Sequence, residues 1–437
     1  MTSPGKYHYY TLPLEKGTVR LTLDTLNKHS DFRFPERPYL VIRKRTISFQ
    51  NEVLILGIRL GEEKEERVYI RVLQEELRVS CSVDTDHTYL SRYAYFALYS
   101  FTWSGGGYNF GKYYWPDFFD PKTGKSKYLT VIIDRAGTDI KRKPKYAFFY
   151  KPGDKLIYPF RRKKAITTAM PALEKDNVNQ FNPYAIGYCL ADAQLSSARS
   201  AHFPLIMRYR GIWDKNQREI KGFNQFLITP NQAIANYYTP MQDKINVFCR
   251  KMQILAPIKM PEYRSTDKEK QVFKRENLRK LKLVYALWQK AVPLLQTQPF
   301  THYLFTHGLR NVKGKPRKQD MKACTFSSES PRLCFLLVGK GDYYELELRF
   351  KAEGKFYVPN ECNPTFFIHS TAAPYRFYLM DSITDYHVLR FFERHNFKLS
   401  VLKCHYQGHF KIFINRLAEV YELTTKGIDS HEKEEDQ

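Results

Sequence analysis

The residues able to do chemistry are scattered along this 437-residue chain, and their spacing limits what they can do. Gly106-x4-Gly111-Lys112 matches most of a phosphate-cradling loop, in which backbone N–H groups wrap a phosphate and the lysine neutralises it. Tyr113 stands where Ser or Thr is needed to hold magnesium, and a helix rather than a strand leads into the loop. These departures argue against nucleotide hydrolysis and for a mobile aromatic loop between Trp103 and Trp115. Asp214, Glu219 and Lys221 resemble a nuclease carboxylate trio. They lie in a polar stretch that reads as a solvated turn rather than an apolar cleft. The twelve histidines show no metal-ligand spacing, and His405 with His409 reads as surface chemistry on a strand-turn. Seven cysteines, at 81, 189, 249, 324, 334, 362 and 404, include no Cys-x-x-Cys pair, which predicts reduced thiols and no zinc ribbon. The chain therefore reads as non-enzymatic, with no catalytic residues, no metal and no cofactor.

Charge carries the strongest functional signal. Lys plus Arg number 70 against 45 Asp plus Glu, a net +25. Such a surplus attracts polyanions, and each phosphate neutralised releases counterions and drives binding. Nucleic acid, DNA or RNA, is the expected partner, with other protein subunits alongside it. The alternative is a scaffold that docks a separate helicase or nuclease without touching nucleic acid, and a nuclease is a weaker third reading. Residues 141–164 hold ten Lys or Arg and one acid, with aromatics between them. The candidate contacts there are Lys141, Arg142, Lys143, Lys145, Lys151, Arg161, Arg162, Lys163 and Lys164, with Tyr150 as a stacking platform. The same pattern also fits aromatics facing a core while the charges face water. Lys274, Arg275, Arg279 and Lys280 follow on a helix, and Arg310, Lys313, Lys315, Arg317 and Lys318 on a basic linker.

The elements that must position these groups give an α+β chain, with antiparallel β-rich N- and C-terminal modules joined by a mixed segment containing two long helices. A β-rich module spans 1–115, with short β-prone runs separated by polar turns. An irregular basic and aromatic segment covers 116–239, punctuated by Pro171, Pro183, Pro204 and Pro230. A helical segment covers 240–309. Thr239, Pro240 and Gln242 signal the start of its first helix, which Pro257 ends, and the second spans about 268–292. Cations crowd the first half of that second helix and oppose its dipole. A basic linker at 310–331 precedes a C-terminal α+β module at 332–428, where Tyr343–Lys351 alternates strictly. An acidic tail at 429–437 is expected to be disordered. No apolar run reaches membrane-spanning length and no signal peptide is present, so the sequence predicts no membrane contact and a cytoplasmic protein.

Residues 77–101 run from a β-prone stretch through a polar turn into an amphipathic helix. This resembles the SWIM-type zinc finger, whose pattern is Cys-x-Cys on a hairpin and Cys-x-His at a helix start. The ligand positions fall here on Cys81, Val83, Ser91 and Tyr93, so only one is a ligand and no zinc is expected there. Packing among Val79, Val83, Tyr93, Phe96 and Leu98 is expected to replace the metal, with Cys81 as a buried thiol. The order of elements also resembles the non-motor N-terminal region of bacterial, Bacteroides-like Swi/Snf-type helicases. That resemblance implies an accessory nucleic-acid-binding scaffold that lacks the motor.

Overall fold

Alternating apolar residues over 42–81 build an antiparallel sheet whose inner face needs a cover. In the computed structural model the elements up to residue 150 are strands β1 (Tyr10–Pro13) and β2 (Arg20–Thr22), helix α1 (Leu23–Lys28), and strands β3 (Ile42–Gln50), β4 (Val53–Leu60), β5 (Glu66–Val72) and β6 (Glu76–Cys81). Helix α2 (Arg92–Thr102) follows, with β7 (Gly107–Asn109), β8 (Leu129–Asp134), β9 (Gly137–Arg142) and β10 (Phe148–Tyr150). The structure describes residues 8–30, 41–83, 87–134, 137–157, 184–193, 202–215, 219–227, 238–259, 265–305, 316–359, 365–370, 373 and 375–427.

The first sheet runs β1-β6-β5-β4-β3 and is antiparallel throughout. Helix α2 covers it, with Ala94, Tyr95, Phe96, Ala97 and Leu98 buried in one core with Leu54, Leu56, Val68 and Val79. Ser91 caps the helix by accepting from the Ala94 N–H at 3.2 Å. Of the zinc-finger positions, Cys81 is buried, Ser91 is this cap, and the Tyr93 hydroxyl donates to Glu63 Oε2 at 2.7 Å. Burial pushes the Cys81 thiol up, with the Ser91 hydroxyl working against it. Val79, Phe96 and Leu98 lie in the same core as Cys81, but Val83 is exposed because it lies past the end of β6.

The central segment comprises β11 (Ala185–Ala193), β12 (His202–Trp213), β13 (Ile220–Phe226), α3 (Pro240–Leu255), α4 (Asp267–Leu295), β14 (Thr301–Phe305) and β15 (Met321–Phe326). The C-terminal segment comprises β16 (Arg332–Gly339), β17 (Tyr343–Ala352), β18 (Lys355–Tyr357), β19 (Phe367–His369), β20 (Tyr375–Leu379), α5 (Ile383–Glu393), β21 (Lys398–Leu402), α6 (Lys411–Ala418) and β22 (Glu422–Lys426). The seven-stranded sheet β13-β12-β11-β14-β15-β20-β19 takes strands from both segments. Helices α3 and α4 cover it, and the Trp288 Nε1–H donates to the Pro204 carbonyl at 2.8 Å in its core. The remaining large sheet runs β10-β21-β17-β16-β22, with β18 on β17, under helices α5 and α6.

These pairings move two expected boundaries. Residues 116–239 are not irregular: six strands lie there, and Pro204 is accommodated within β12 beside a register shift at Ala191–Ala193. The 310–331 stretch is not wholly a linker, because β15 pairs in parallel with β20 and antiparallel with β14. Strand β10 leaves the N-terminal half to pair in parallel with β21. Side chains alternate across a strand, so Phe149 enters the N-terminal core and Tyr150 the C-terminal one. The hairpin β19–β20 works the same way, sending Phe367 and Phe377 to the central core and Ile368 and Tyr378 to the C-terminal core. Among the described residues no helix is long and apolar enough to cross a membrane.

Candidate functional site

Helix α4 carries the best-formed charged surface. Its Thr266 cap accepts from the Glu269 N–H while Glu269 reaches back to the Thr266 N–H, and Asp267 and Glu269 in the first turn offset the helix dipole that the early cations oppose. Its buried face is Leu281, Val284, Tyr285, Trp288, Ala291, Val292 and Leu295. At 100° per residue, Lys268, Arg275, Arg279, Lys282 and Lys290 fall within about 40° of one direction, opposite that buried face. All five are exposed, and none makes an ion pair among the described residues. The stripe covers 22 helical steps, a length of about 33 Å. The nearby acids are engaged elsewhere: Asp267 pairs with Lys270 at 3.1 Å, and Glu276 with Lys259 at 3.1 Å. Lys274 is also exposed but points away from the stripe. Lys280 is not a free cation, because its Nζ donates to the Pro257 carbonyl at 3.0 Å and ties α4 to the end of α3. Lys268 and Lys282 belong to the basic 268–282 face that the sequence points to, whereas Lys290 lies beyond it; the 3.6-residue period through Arg275 and Arg279 is the signal that finds it.

The 141–164 segment divides. Lys141 is exposed and pairs with Asp139 at 2.5 Å, and Lys145 is exposed with its ammonium 5.0 Å from the Tyr146 ring centre. Arg142 is half-buried, and its Nε has no hydrogen-bond partner among the described residues. Lys143 donates to the carbonyls of Ser126 and Lys127 at 3.2 and 3.0 Å. Tyr150 is 2 % exposed and is a core residue, not a stacking platform, because β10 is sandwiched between two cores. Lys151 donates to the Gly111 and Tyr114 carbonyls at 3.3 and 2.9 Å and sits 4.2 Å from the Trp115 ring, where burial pushes its pKa down. Arg161, Arg162, Lys163, Lys164, Arg310, Lys313 and Lys315 lie outside the described residues. Arg317 pairs with Asp320 at 2.8 Å, and Lys318 is exposed before β15.

The glycine-rich loop is not folded as a phosphate cradle. Residues Phe110–Tyr113 form a tight helical turn capped by Asn109, with Phe110 and Tyr113 buried and Lys151 occupying the Gly111 carbonyl. Asp214 is half-buried and Glu219 exposed, and the Glu219 N–H donates to Asp214 Oδ1 at 3.0 Å.

A cleft of about 530 Å³ is lined by Asp117 to Tyr128 and by Asp342. Lys127 and the Tyr128 hydroxyl both bond the Asp342 carboxylate. Behind this wall the side chain of His405 is 6 % exposed, with Nε2 2.9 Å from Asp117 Oδ2. His405 is therefore not surface chemistry, because the Phe118 side packs over its ring. Cys404 next to it is exposed. The chain matches no protein-family model, no curated protein and no solved structure.

Proposed function

We propose that this protein is a non-enzymatic nucleic-acid-binding accessory subunit whose main contact is the exposed face of α4. The observation that carries this reading is the stripe of Lys268, Arg275, Arg279, Lys282 and Lys290, unpaired among the described residues and directly opposite the helix's anchored face. A helix fixed on its far side presents these cations without further backbone ordering cost, and about 33 Å is close to one turn of duplex. The net charge of +25 supplies the long-range attraction. Contacts of this kind read phosphates rather than bases, so the binding has little sequence preference. The resemblance of the order of elements to the non-motor region of Swi/Snf-type helicases supports a partnership with a separate helicase.

A second reading is docking on an acidic protein. Ile254 at 77 % exposure and Val247 at 40 % on α3, with Val272 at 59 % on α4, favour it, since apolar side chains add to protein contacts more than to phosphate contacts. Titration of labelled duplex and single-stranded DNA and RNA across a range of salt separates the two. Steep salt dependence supports phosphate contact, and absence of binding at low salt leaves the docking reading.

A further inference from the structure

We infer that Asp117, Cys404 and His405 form a zinc-binding site with one open coordination position. A carboxylate oxygen, a thiol sulfur and an imidazole nitrogen from these residues lie within 4.8 Å of one another. Asp117 and His405 are 288 positions apart, so tertiary structure alone brings the set together. The inference is independent of the nucleic-acid reading, and it departs from the sequence expectation of no metal.

The surroundings hold the Asp117 backbone and the His405 ring. Asp117 has a φ of +63°, a region that non-glycine residues seldom enter, and its N–H donates to Glu52 Oε1 at 2.5 Å. Glu52 is itself buried, has a φ of +64° in the β3–β4 turn, and pairs with Arg71 at 2.7 Å. The His405 ring is held by burial, and its Nδ1 is buried with no hydrogen-bond partner among the described residues. A buried imidazole nitrogen without a partner is costly unless something binds it or the ring turns to use it. The Cys404 thiol stands exposed beside this ring.

The donor types select the metal. Thiolate and imidazole are soft and borderline donors, a poor match to magnesium or calcium, which take oxygen. Zinc accepts S, N and O together at bond lengths of about 2.0–2.3 Å, which sets ligand atoms about 3.5 Å apart in a tetrahedron. Binding therefore draws the donors together by about 1 Å from the 4.8 Å limit. Three protein donors leave the fourth position to solvent, and Asp117 lies on the wall of the cleft, so that position opens towards it. Binding displaces the thiol proton to solvent and leaves a Zn–S bond.

The test uses the full chain, stripped with a chelator and titrated with Co²⁺ as a spectroscopic substitute for zinc. The site predicts about one equivalent of Co²⁺ bound with a thiolate-to-cobalt charge-transfer band, displaced by added zinc. Cys404→Ala, at an exposed position, removes the band, while Asp117→Asn and His405→Gln weaken binding at least about tenfold. Melting curves of the metal-free variants confirm that each is folded. No binding of Co²⁺ or zinc by the folded wild type, or a band that survives in Cys404→Ala, overturns the site.

Discussion

The Nε2 of His405 lies 2.9 Å from Oδ2 of Asp117, across 288 positions of sequence. This contact belongs to a seam at which the N-terminal half meets the C-terminal sheet. Strand β10 pairs with β21 on the same seam, and Lys127 and Tyr128 reach Asp342. At this seam Asp117 has a positive φ and its N–H donates to Glu52.

Glu52→Gly separates positioning from stability. Glycine relieves the left-handed strain at this turn, worth about 1–2 kcal/mol, but removes the acceptor for the Asp117 N–H and the partner of Arg71. The expected result is weaker Co²⁺ binding with the thiolate band retained at saturation. Unchanged affinity shows that Asp117 does not need Glu52.

Asp342 sets the pH response of the seam. Burial works to raise its pKa, but the bonds from Lys127 and Tyr128 outweigh it and hold the carboxyl below its ordinary value. A depressed folded pKa contributes stability above the unfolded value of about 4, lost as pH falls through the folded pKa. Melting temperature of the wild type is expected to fall more steeply than that of Asp342→Asn between about pH 5 and pH 3. Parallel curves contradict this.

Tyr150→Ala distinguishes core from contact. Truncating a buried aromatic costs about 3–5 kcal/mol, read by urea denaturation, while the folded fraction keeps wild-type affinity for nucleic acid. Loss of affinity without loss of stability would restore Tyr150 as a platform.

Lys151→Ala tests the buried ammonium. It leaves the Gly111 and Tyr114 carbonyls without their donor, at a cost of about 1–3 kcal/mol. A change within about 0.5 kcal/mol shows that water replaces the lysine without penalty.

Much of the architecture was legible in the sequence. The strict alternation of β17, the capping pattern at Thr239 and the apolar stripe of α4 each report a local period, and each element forms where that period puts it. What was not legible is pairing at a distance. Nothing local in Phe148–Tyr150 announces a partner at 399–401, and nothing in Met321–Phe326 announces 375–377. The same limit applies to the candidate contacts. Composition counts Lys143, Lys151 and Lys280 with the free cations, although each is spent on backbone carbonyls that only the fold brings near. The burial of the His405 side chain is equally invisible locally, since Asp117, 288 positions earlier, and Phe118 next to it are what lie beside the ring.

The central claim rests on the α4 stripe, and its direct test is the salt dependence of nucleic-acid affinity for wild type and for Arg275→Glu/Arg279→Glu. Both positions are exposed, so the fold is kept. Five phosphate contacts predict a slope of log affinity against log salt of about −4.5 on duplex, shallower by about two in the double variant. A slope near zero, or one that the two reversals leave unchanged, contradicts the account.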